Sequence, residues 1–222
     1  MSLGVLVAIA CLASRVGAAA QDTGVTWLIF VDDLHLDFVN IGHIRMFLRS
    51  VASELIRDGD AFVLRSSGPS PSIPFTTDRS QLNAAIGSVA GNALPLAAIF
   101  RSSTANKVQD EVRYRASLAG SAATDMLSAD PSPSARHQVM LYMSNGYPLE
   151  PPDAVARFAS VAQRANVTVF AINARGLPGA PAAPVQGDPV RWASYRDAML
   201  NSLRRDLGTD RWSCCPRRGR LR

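Results

Sequence analysis

The stretch VTWLIFV, residues 25–31, constrains the fold more than any other part of the chain. It is β-branched and aromatic without polar alternation, so as a strand it needs cover on both faces, which parallel sheets flanked by helices provide. The period then changes. Ile41, Ile44, Phe47 or Leu48, Val51 and Leu55 recur every three or four residues and predict a helix with one apolar stripe that ends near Asp58 and Gly59. A buried strand followed by an amphipathic helix opens an α/β architecture.

The remaining chain continues the pattern. DAFVLRS (60–66) predicts a second strand. The turn Ser-Gly-Pro-Ser-Pro-Ser is short enough to return SIPFTT (72–77) antiparallel to it, and Pro74 confines this third strand to an edge. Asp78 caps a short helix carrying Leu82, Ala85, Ile86 and Val89. GNALPLAAIFRSS reads as a loop, and a long helix from Ala105 to Ser128 carries Val108, Val112, Ala119, Ala122 and Met126. HQVMLYMSNG (137–146) is a buried strand ending in a polar turn. Pro151-Pro152-Asp153 starts a helix with Val155, Phe158, Val161 or Ala162, and Ala165 on one side. NVTVFAIN (166–173) is the next strand. The Pro/Gly/Ala-rich stretch 176–189 is a loop, and a last helix over 190–207 carries Trp192, Tyr195, Met199 or Leu200, and Leu203. The order predicts a three-layer, doubly wound, mostly parallel sheet with one antiparallel edge strand. Ligands of such sheets bind beyond the carboxyl ends of the central strands, here Asp32-Asp33 and Ser144-Asn145-Gly146.

With 222 residues and 47% hydrophobic content, the chain suffices for one such domain. Residues 1–20 are expected to be a secretory signal, because LGVLVAIACLA is an apolar run of signal length and GAAA offers a small-residue cleavage site before Gln21. That run is shorter than the ~20 residues a membrane-spanning helix needs, so no span is expected in the mature chain. The pI of 9.6 raises the question of a nucleic-acid partner, and the position of the charges answers it. Arg211, Arg217, Arg218, Arg220 and Arg222 lie in the last twelve residues, which contain no acid, and without them 18 basic residues face 18 acidic ones. The body, residues 21–208, is neutral and shows no basic face, which argues against nucleic-acid binding. Cys214 and Cys215 are adjacent and cannot staple distant segments, so there is no disulfide framework.

Catalytic signatures are lacking: no Gly-x-Ser-x-Gly elbow, no phosphate loop and no dinucleotide fingerprint. The chain is not expected to be an enzyme. Asn166-Val-Thr168 matches a glycosylation triplet but opens a strand and is read as structural. The remaining chemistry is Asp32, Asp33, His35 and Asp37. If the chain stayed extended, Asp33, His35 and Asp37 would converge on one face as hard ligands for a cation. Alternatively, Asp32 or Asp33 ties down loop amides and Asp37 caps the next helix.

LIFVDD with its amphipathic helix, the antiparallel third strand and VMLYMSNG resemble a von Willebrand factor type A domain. In particular they resemble the secreted bacterial VWFA-related branch, where a DDLH-type sequence ends the first strand. The resemblance covers about Val25 to Leu207. It implies a metal-ion-dependent adhesion site, in which Asp-x-Ser-x-Ser, a loop Thr and an Asp after the fourth strand hold Mg²⁺ and the ion takes a carboxylate from a partner protein. Asp32 matches the first Asp. Leu34 and Leu36 replace the serines, Asn145 stands for the second Asp, and Thr104 is the nearest candidate for the Thr. Two lost hydroxyls and one lost charge should weaken Mg²⁺ severely, whereas Asp33 and Asp37 would compensate better for Ca²⁺. Asp32, Asp33 and Asn145 are thus the candidate ligands of a degenerate site. The resemblance also implies a sixth strand after a Gly-Gly turn. The last residues, 209–222, lack a strand pattern and are expected to be an aberrant, truncated or frameshifted end. The function implied is a secreted or periplasmic, non-enzymatic protein-binding module, with a vestigial structural domain as the alternative.

Overall fold

The computed structural model describes residues 24–94, 105–129, 136–146, 154–174 and 189–208. The expected signal, the tail 209–222 and Thr104 lie outside them. The strands are β1 (Val25–Val31), β2 (Ala61–Ser66), β3 (Ile73–Thr76), β4 (His137–Ser144) and β5 (Val167–Asn173). The helices are α1 (Ile41–Glu54), α2 (Arg79–Ser88), α3 (Ala105–Ser128), α4 (Ala154–Arg164) and α5 (Pro189–Asp206), with a 3₁₀ turn at Phe38–Asn40. The sheet order is β3-β2-β1-β4-β5, parallel throughout except for β3 against β2.

β1 is the central strand and explains the lack of alternation in its sequence. Trp27, Ile29 and Val31 face α1, α2 and α5, in a core with Ile44, Phe47, Leu82, Ile86, Leu200 and Leu203. Leu28 and Phe30 face the other way, against Met126 and Leu127 of α3 and Ala162 of α4. Both faces are dry, so every residue from Thr26 to Val31 is buried. Three layers follow from this double burial.

The helical stripe of α1 is buried as expected, but α1 ends at Glu54, earlier than the pattern suggested. The chain then turns through Gly59, at φ +91°, a left-handed conformation that glycine adopts without penalty. Asp60, read as the first strand residue, instead turns its carboxylate inward. It accepts from Val25 N (2.8 Å), Arg57 N (2.8 Å) and Trp27 Nε1 (3.1 Å), fastening the start of β1 at the end of the sheet away from the site. In α3 the buried residues are Ala116, Ala119, Ala123, Met126 and Leu127, while Val108, Val112 and Ala122 of the expected stripe are half-buried, so the stripe lies on the covered face but is fully buried only in the second half of the helix.

His43 of α1 stacks on Trp192 of α5, with ring centroids 4.8 Å apart. Burial lowers its pKa from 6.5, because the charged form loses water. The unfolded chain therefore binds the proton more readily. The contribution of His43 to stability is fully present above pH 6.5 and is lost as the pH drops below it toward the folded-state pKa. Melting curves should show a smaller loss of Tm on acidification from neutrality for His43→Phe, which keeps a ring in the stack, than for the wild type.

Candidate functional site

Parallel register builds the site. Val31 pairs with Ser66 on one side and Met143 on the other, so the next residues, Ser67, Asp32 and Ser144, form a row across the carboxyl ends of β2, β1 and β4. Two backbone bonds prolong the ladders to this row, Ser67 N to Val31 O at 3.0 Å and Asp32 N to Met143 O at 2.8 Å. Asp32 is fully buried at its centre. Its carboxylate accepts from Ser67 Oγ at 2.9 Å and Ser144 Oγ at 2.6 Å. His35 Nδ1 lies 2.8 and 2.9 Å from its two oxygens.

His35 reaches Asp32 because the chain turns at once after β1, with His35 N donating to Asp32 O at 3.1 Å. The extended segment that would have brought Asp33, His35 and Asp37 onto one face does not form, and the three side chains take separate partners. Leu36 supplies the physical reason: it is fully buried in the core beneath α1, which an extended chain would not allow.

Asp33 turns toward the β2–β3 connection. Oδ1 accepts from Gly68 N at 2.6 Å and Ser67 Oγ at 3.1 Å; Oδ2 accepts from Ser70 N at 2.7 Å and Asn92 Nδ2 at 3.4 Å. Of the two sequence alternatives, Asp33 adopts the one in which it ties down loop amides. The segment after α2 closes over the same turn, through Asn92 N to Asp33 O at 2.8 Å and Ala93 N to Leu36 O at 3.2 Å. Two arginines hold that segment in place, Arg45 on Val89 O and Arg115 on Asn92 O.

The packing is close enough to require glycine at Gly91, where a Cβ would stand 2.5 Å from Leu36 O. Gly91→Ala must push the segment off the Asp33–Asp37 turn. We expect it to cost about 1–3 kcal/mol in urea unfolding, the usual range for overpacking. A loss below a few tenths would show that the segment gives way freely.

Asp37 stands at the N-cap of the 3₁₀ turn but makes no side-chain cap. It accepts instead from Asn145 Nδ2 at 2.7 Å, joining the β1–α1 turn to the end of β4. Asn145 is 7% exposed, and its Oδ1 has no hydrogen-bond partner. Next to Asp37, Phe38 is 82% and Val39 62% exposed, an apolar step on the rim of the site.

Asp32 and Asn145 thus share one rim, as topology predicts, and Asp33 lies behind it. The donors do not fit a divalent cation as they stand. Asp33 has all its acceptor positions taken, and His35 Nδ1 occupies the chelating position between the two oxygens of Asp32. Leu34 and Leu36 bring no oxygen, and among the described residues no three His, Cys, Asp or Glu side chains are disposed to hold a metal. Ser144 directs its hydroxyl to Asp32, and Ser67 shares its one hydroxyl proton between Asp32 and Asp33; neither turns to the imidazole, so the arrangement does not activate a serine as a nucleophile.

Ser67, Gly68, Ser70 and Asn92 are the site residues that sequence reading passed over as loop. For Ser67 a signal existed: in parallel strands of equal end-point, the residue after β2 must lie beside the residue after β1. Asn92 had none, because its approach depends on the packing of a distant loop.

Fold and site together define a three-layer α/β domain with a polar row at the carboxyl ends of its central strands. No protein-family model and no curated protein matches the chain. No helix among the described residues is long and apolar enough to cross a membrane.

Proposed function

We propose that the chain is a secreted or periplasmic, non-enzymatic binding module of the von Willebrand A class that engages a protein partner through the carboxyl-end face of its sheet, with a degenerate metal site. The observation that carries the reading is the exposed pair Phe38–Val39 held beside Asp37 and the Asp32 row. Large exposed apolar side chains on a rigidly held loop are the usual material of an interface. The sheet order, with one antiparallel edge, supports the class.

In this reading His35 takes the place beside Asp32 that a cation holds in the family site, with its Nδ1 against both carboxylate oxygens. Calorimetric titration of the purified mature chain with Ca²⁺ and with Mg²⁺ should therefore give no binding heat at millimolar ion. Saturable heat at either ion would restore the metal to Asp32 and Asn145. Pull-down from the envelope and medium of the source cell should recover the same partner with and without chelator, and failure to retain any protein from either fraction would sink the reading.

The alternative is a structural or vestigial domain with no ligand of its own. It is favoured by one observation, the complete use of Asp33 within the fold. It predicts that substitutions on the Phe38 rim change nothing.

A further inference from the structure

A cavity of about 670 Å³ lies between α3, α4 and the carboxyl halves of β4 and β5, a size within the range of small-molecule pockets. α3 turns small side chains to it, among them Ala116, Gly120 and Thr124, while one turn further on Met126 and Leu127 fill the corresponding space against the sheet. Tyr142 and Phe158 meet edge to face at 5.9 Å and form an aromatic wall. Gly120 sits inside a 24-residue helix, where glycine weakens the helix relative to alanine, yet a Cβ there would meet nothing within 4 Å. Local packing does not demand the glycine, and any larger side chain at that position would intrude on open space.

A second, independent feature points to an occupant. Asn145 lines the cavity, is 7% exposed, and its Oδ1 is a buried acceptor without a partner. Leaving such an atom unsatisfied is costly, so the position calls for a donor. Asn145 Nδ2 is bound to the Asp37 carboxylate, which fixes the amide with Oδ1 as its remaining acceptor. Asp125 and Arg157 both line the cavity, one of each sign, so the choice of head rests on the acceptor: an N–H, neutral or cationic, satisfies Oδ1, and a carboxylate, which only accepts, does not.

We infer that this cavity is a binding site for a small molecule with an aromatic or branched apolar body and an amide or ammonium head, the head donating to Asn145 Oδ1. The site adjoins the protein-binding rim but does not depend on that reading.

Benzylamine, benzamide and benzoate, titrated separately into the full chain, test it by the methyl resonances of Ala123, Val169 and Ile172. Benzylamine or benzamide should shift these signals with Kd on the order of 1 mM, the affinity expected of such small fragments. Benzoate should bind at least tenfold more weakly. Gly120→Leu should abolish the shifts without lowering Tm. If Gly120→Leu is unstable, Ser117→Leu, at an exposed helix position lining the same cavity, takes its place. Equal binding of all three probes would overturn the donor head. An absence of shifts with every probe at about 10 mM, tenfold above that Kd, would mean that the cavity holds only water and would overturn the site.

Discussion

Asp33→Ala is expected to lower the stability of the fold by about 3–5 kcal/mol, the range for breaking a buried, charge-centred hydrogen-bond network. The carboxylate is fully buried and accepts from four donors on two separate loops, with the backbone amides of Gly68 and Ser70 at 2.6 and 2.7 Å as the strongest. Removing it leaves both amides without their acceptor, in a pocket that the segment 89–94 closes against water. Asp33→Asn should be nearly as damaging, since an amide can present only one acceptor oxygen and turns N–H groups toward other N–H donors. For a chain of this size the loss corresponds to a fall in Tm of roughly 10 °C or more. A thermal or urea midpoint within the error of wild type would mean that the loop rearranges to supply other partners. The consequence for functional work is direct: a substitution at Asp33 that abolishes partner binding reports unfolding of the loop, not loss of a contact.

How far the sequence foretold this arrangement depends on the range of the physics involved. Strand and helix positions follow from local apolar period, and Trp27 to Val31 or Ile41 to Leu55 carry it without ambiguity because one face, or both, must be buried. Asp32 was legible for the same reason, as the first polar residue after a buried central strand. The partition of labour between Asp32 and Asp33 was not. It depends on the chain turning at His35 so that Leu36 can enter the core, and on Ser67 lying in register with Asp32 across β2. Both are consequences of tertiary packing. A run of acids close in sequence suggests a shared ligand, whereas here each acid takes a different neighbour: Asp33 the loop amides, Asp37 the amide of Asn145, and Asp32 the imidazole and two hydroxyls.

The substitution that separates a binding module from a vestigial domain is therefore on the rim. Phe38→Ser is expected to weaken partner binding by roughly 30-fold or more, equivalent to about 2 kcal/mol, the threshold for an aromatic anchor at an interface centre. Phe38 is 82% exposed and belongs to neither hydrophobic core, so its removal takes little from the fold, and Tm should stay within about 1–2 °C of wild type for a surface change of under ~0.5 kcal/mol. Val39→Ser should behave in the same direction with a smaller effect, because valine offers less area and is less exposed. The pair of readings makes the result decisive. Lost binding with an unchanged melting curve assigns Phe38 to a contact. Unchanged binding, measured with the partner recovered by pull-down, would move the interface away from the carboxyl-end face altogether. A rise in Tm together with lost binding is also consistent with a contact residue, because an exposed aromatic on a held loop gives the isolated fold no benefit that water does not offset.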